Sequence, residues 1–86
     1  MNHLMQVKNY SGNLKELAEE IGDMRYDTLE EFYKILSDKF SSDSRYDAIM
    51  GHPQVSSKLK KIAEYHQMIQ EEFSSLWKVC EKYMKK

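Results

Sequence analysis

The residues that could carry chemistry are few. Glu16, Glu19, Glu20 and Asp23 stand close together on a predicted helix, and clustered carboxylates are the donors that a hard cation such as Mg²⁺ takes. Mg²⁺ ordinarily completes its shell with substrate phosphates, and the sequence offers no Gly-rich or basic phosphate cradle. Most of these acids also point away from the apolar stripe of their helix, so a solvated acidic face is the favoured reading. His66 is the polar member of an apolar heptad stripe. A metal ligand or a pH-responsive group would suit it, but a core histidine that fixes register through a hydrogen bond accounts for its position. Cys80, in the same stripe, reads as a buried, unreactive thiol. A nucleophile there would need a neighbouring base and a group that lowers its pKa, and neither is apparent. His3 and His52 lack companions at metal-ligand spacing. No catalytic residue, metal ligand or cofactor is therefore assigned.

The string Leu17-Ala18-Glu19-Glu20-Ile21-Gly22-Asp23 resembles the first metal-binding helix of the all-α nucleotide pyrophosphohydrolases. The resemblance implies a helical bundle with Mg²⁺ held between carboxylates. That family also uses a Glu-x-x-Asp pair on the next helix, which Glu71, Glu72 and Glu81 do not supply, and Glu30 and Glu31 lie on the same predicted helix as the first cluster.

Charged residues elsewhere read as packing devices. Arg25 is in phase with Ile21, Met24 and Leu29 on an apolar face, where a charge needs a partner. A hairpin turn near Met50–Gly51 puts Arg25 level with Trp77. The reading is then a cation–π contact, with a neighbouring carboxylate equally allowed. The basic clusters are Lys58-Leu59-Lys60-Lys61 and Lys82-x-x-Lys85-Lys86. With Tyr65 and Tyr83 nearby they could form a modest nucleic-acid surface. A four-helix dimer similar to the plasmid copy-number regulator that clamps paired RNA loops would offer the same scaffold, though no motif is shared.

The elements that position these residues are helices. Asn13 or Ser11 can cap a helix from Leu14. On a 100° wheel, the apolar residues from Leu14 to Phe40 fall on one face, Leu29, Phe32, Leu36 and Phe40 among them, and the stripe crosses Gly22 without changing phase. This predicts one helix from about 13 to 45. The competing reading ends a first helix at Gly22 and restarts at a capping box, Asp27-Thr28-Leu29-Glu30. Ser41, Ser42 and Ser44 weaken helicity and place the connection within 41–54. Gly51 serves as a helix stop and Pro53 as the first turn of the next helix. From about 53 to 84, the run Val55, Leu59, Ile62, His66, Ile69, Phe73, Leu76, Cys80 and Tyr83 repeats at 4-3 spacing, with Trp77 broadening the stripe. Residues 1–12 carry turn chemistry and are expected to be poorly ordered.

Composition bounds the rest. One domain fits 86 residues, and three Gly and one Pro argue against an all-β fold. The lone cysteine rules out an intrachain disulfide and fits a reducing compartment. No stretch matches a signal peptide or a membrane span, so the expected location is cytoplasmic. Net charge is −1, which does not recommend nucleic acid as a partner. Residues 1–50 hold ten acidic against six basic residues (net −4), and residues 51–86 hold seven lysines against four glutamates (net +3), so the two segments should attract.

The sequence thus predicts an all-α, long antiparallel hairpin. Its stripes, which include Leu59, Ile62, Ile69, Phe73, Leu76 and Trp77, are wider than one partner helix can cover. A homodimeric four-helix bundle is the favoured assembly, and a three-helix monomer broken near Gly22 is the rival. The expected role is a non-catalytic interaction module with a protein partner. A nucleic-acid-binding dimer and a Mg²⁺-dependent nucleotide hydrolase follow in that order.

Overall fold

The computed structural model describes residues 3–83. Three α-helices follow in order, α1 (Leu14–Gly22), α2 (Tyr26–Ile49) and α3 (Pro53–Cys80), ending in a single 3₁₀ turn, Glu81–Tyr83. No strand occurs among the described residues. The predicted end of the last helix at Met84 lies outside them.

Asn13 starts α1 through a reciprocal capping box. Its Oδ1 accepts from the Glu16 N–H at 2.8 Å, and the Glu16 carboxylate accepts from the Asn13 N–H at 3.0 Å. Two orphan donors are satisfied at once. Residues 3–12 form no helix. Tyr10 nonetheless reaches forward, and its hydroxyl donates to the Glu20 carboxylate. Gly12 permits this, because a Cβ there would stand 2.6 Å from the Tyr10 ring.

The continuous first helix expected through Gly22 is not what forms. The chain leaves helical geometry over residues 23–25. The Asp23 and Met24 N–H groups bond back to the Glu19 and Ile21 carbonyls at 3.0 and 3.1 Å, which closes α1. Arg25 then turns extended at ψ 145°. A break near Gly22 does form, as the rival reading had it, but its end chemistry differs. Gly22 stays helical, and α2 begins at Tyr26 without a side-chain cap on Arg25. Asp27 is not the N-cap, and its carboxylate takes the Arg25 guanidinium in a two-pronged pair at 2.7 Å. The break preserves the phase of the apolar stripe, so the pattern alone could not reveal it.

The serines expected in the connection lie inside α2. Small hydroxyl residues let two helices approach closely, and their hydroxyls find acceptors across the contact. The buried Ser37 hydroxyl donates to the Ala63 carbonyl of α3 at 2.8 Å, and the buried Ser44 hydroxyl donates to the Ser56 carbonyl at 2.7 Å. The helix runs to Ile49 and ends in a Schellman motif. Gly51 adopts φ +82°, its N–H bonds the Ala48 carbonyl at 3.2 Å, and the His52 N–H bonds the Asp47 carbonyl at 2.8 Å. Pro53 then opens α3, where its missing N–H costs nothing. The connection is thus a tight turn over residues 50–52.

The two long helices pack antiparallel against each other, and α1 makes no comparable contact with either. There are three helices but no three-helix bundle. On α2 the contact runs through Leu29, Tyr33, Ser37, Phe40, Ser44 and Asp47. On α3 it runs through Ser56, Leu59, Ala63, His66, Gln70, Phe73, Trp77 and Cys80, at 3-4 spacing throughout. Phe73 lies between two α2 rings, 6.3 Å from Tyr26 and 5.5 Å from Tyr33. Among the described residues, no ion pair joins an α3 lysine to the acids of residues 1–50. The charge contrast between the halves does not zip the hairpin; Lys34–Asp38 and Lys39–Asp43 pair within α2 instead.

Candidate interaction surface

The acidic cluster is dispersed by the local structure. Glu16 is used in the capping box and Glu20 accepts from Tyr10. All four acids are exposed, Asp23 as the C-cap of α1. Among the described residues no three His, Cys, Asp or Glu side chains come together as a metal-binding group. Accepting the Tyr10 hydroxyl stabilises its protonated form, so the hydrogen bond to Glu20 raises the Tyr10 pKa above its ordinary value.

His66 is half-buried in the inner seam of α3. Its ring lies 5.8 Å from Tyr33 and 5.2 Å from Phe40. Nδ1 lies 2.8 Å from the Ile62 carbonyl one turn back. A carbonyl only accepts, so Nδ1 carries the proton in this contact. Cys80 is half-buried at the end of the same seam. Arg25 has both partners that its position allowed. Its guanidinium lies 5.1 Å from the Trp77 ring centroid while also gripping Asp27. The hydrogen bond from Arg25 holds the Asp27 carboxyl below its ordinary range and pushes the arginine above its own.

One polar contact was not foreseen. Asp47 is buried at the end of α2, and its Oδ1 lies 3.2 Å from Nδ1 of His52. With the backbone bond between the same two residues, this pair clamps the turn. A single aspartate near a helix end gives no such signal in sequence, because its burial depends on the register of α3.

The anticipated seam divides in two. Leu29 is buried, and Phe32, Leu36, Phe40, Leu59, Phe73 and Trp77 are half-buried. Ile62, Ile69 and Leu76 are exposed, at 39%, 38% and 38%. The inner seam passes one residue later, through Ala63, Gln70 and Trp77. Shifting by one residue rotates the face by about 100°. The displaced residues belong to a second seam on α3. Val55, Ile62, Ile69 and Leu76 recur at seven-residue steps, interleaved with Lys58, Tyr65, Glu72 and Val79; Tyr83 continues the spacing beyond α3 in the 3₁₀ turn, and all nine are exposed. A groove of about 640 Å³ lies along its middle, between Tyr65, Ile69 and Leu76.

A wider cleft of about 1350 Å³ lies between residues 3–8 and the turn end of the hairpin, with Phe40, Val55 and Leu59 on its floor. The Lys58–Lys61 cluster is exposed on α3, while Lys85 and Lys86 lie outside the described residues.

The surface area states the problem in physical terms. The chain exposes 7408 Å², whereas a compact monomer of 10.3 kDa exposes about 5,400 Å². Its radius of gyration is 15.5 Å, against about 12 Å for a compact domain of this length. Leu29 and Ala63 are the apolar residues that are buried among those described, each still 3% exposed. No helix among the described residues is long and apolar enough to cross a membrane. The chain matches no protein-family model, no curated protein and no solved structure.

Proposed function

We propose that this chain is a non-catalytic helical interaction module that works as a homodimer, its second α3 seam covered by the same seam of another copy. The observation that carries this reading is the exposed heptad from Val55 to Tyr83, a pattern that coiled-coil partners bury. The excess surface of roughly 2,000 Å² per chain exceeds the ~800 Å² that each partner buries in a standard interface. Two hairpins joined through α3 make a four-helix arrangement, whose outer faces remain available to a further protein, as in small regulators and adaptors. Light scattering on the eluting protein tests it. A species of twice 10.3 kDa is expected; a monomer throughout the micromolar range would overturn the reading.

A further inference from the structure

We infer that the two copies lie antiparallel across a twofold axis near residue 67 of α3, with Glu72 of each chain set against Lys58 and Lys61 of the other. This rests on the dimer reading and adds its orientation. The outer seam has two charged positions, Lys58 and Glu72, and both are exposed. In a parallel pairing each seam residue meets its own copy. Lys58 would then face a second Lys58 and Glu72 a second Glu72, and like charges repel strongly at a desolvated contact.

Antiparallel pairing removes both conflicts. The register that overlaps the part of the seam within α3, from Val55 to Val79, sets Val55 against Val79 and Tyr65 against Ile69 of the partner copy. It sets Lys58 beside Leu76, one turn from Glu72, and places Glu72 beside Ile62 with Lys61 adjacent. Each carboxylate therefore meets two ammonium groups at both ends of a self-complementary interface, as a twofold axis requires. Glu72 also lines the groove beside Tyr65 and Leu76, so its charge lies within the apolar contact.

Spin labels at Gln54→Cys in a Cys80→Ser background report the orientation directly. Residue 54 is exposed near the start of α3, and the antiparallel register separates the two labels by roughly 39 Å along the helix axis, against about 15 Å in a parallel pair. The long distance is expected. A dimer giving the short distance overturns the orientation and leaves the dimer standing, whereas a monomeric protein overturns the dimer itself. Charge reversal gives a second reading. Glu72→Lys should raise the dimer dissociation constant about tenfold or more, and the triple variant Lys58→Glu/Lys61→Glu/Glu72→Lys should restore it. A triple variant as weak as the single one, or a single one as tight as the wild type, contradicts the pairing.

Discussion

The Ser37 hydroxyl of α2 donates to the Ala63 carbonyl of α3 at 2.8 Å, and both residues are buried between the two helices. Size is what this contact requires. Ser37→Ala should cost about 0.5–1.5 kcal/mol, the net worth of one hydrogen bond. Ala63→Leu forces the helices apart and should cost about 1–3 kcal/mol or more. Urea unfolding at fixed protein concentration checks the order, and an Ala63→Leu protein as stable as the wild type would refute the close contact.

The glycines should respond with opposite signs. Gly51 holds φ +82° at the end of α2, so Gly51→Ala should destabilise by about 1–2 kcal/mol. Gly22 is helical, and an added Cβ meets nothing within 4 Å. Gly22→Ala should stabilise by up to about 1 kcal/mol. Thermal unfolding of the two variants beside the wild type decides the matter.

Arg25 couples the break between α1 and α2 to the end of α3 through Asp27 and Trp77. The Asp27 carboxyl is held below its ordinary value by the Arg25 hydrogen bond. A depressed carboxyl pKa stabilises the fold above its unfolded value, about 3.9, and that stabilisation fades as pH falls through the lower folded value. Asp27 is only half-buried and its Arg25 partner is exposed, so salt screens the effect. In Arg25→Ala, an NMR titration should find Asp27 back near its ordinary pKa, and Trp77 emission should shift as the ring loses its cover. An unchanged Asp27 titration would show that the arginine is not the cause.

Tyr10 tests how residues 3–12 are held. Its hydroxyl donates to Glu20, which raises its pKa. Glu20→Gln should lower the Tyr10 pKa in an ultraviolet titration. Gly12→Ala should do the same by pushing the ring off the carboxylate.

The legible parts of this fold were those written in local chemistry. Asn13 with Glu16, Gly51, and Pro53 each satisfy a backbone requirement at a helix end, and they mark their ends in the sequence as in the structure. The long helix α3 was legible from the helical spacing of its apolar residues. The break at residues 23–25 was open between two readings, because the apolar phase survives it. Ser44 was obscured because a small polar residue suits a loop and a close helix contact equally, and Ser37 because a serine beside Lys34 and Asp38 reads as part of the polar face. The candidate surface was half legible. Periodicity showed an apolar stripe on α3 too wide for one neighbour, but only the register of α2 decides that Ala63 and Trp77 face inward while Ile62, Ile69 and Leu76 face out.

The central claim is that this outward flank is a self-association surface. Sedimentation equilibrium of the wild type beside Ile69→Lys/Leu76→Lys tests it most directly, since both residues are exposed and neither lies in the inner seam. The wild type should sediment as a dimer of the 10.3 kDa chain, and the double variant as a monomer with its helical circular dichroism retained. A monomeric wild type, or a double variant that still dimerises, would contradict the account.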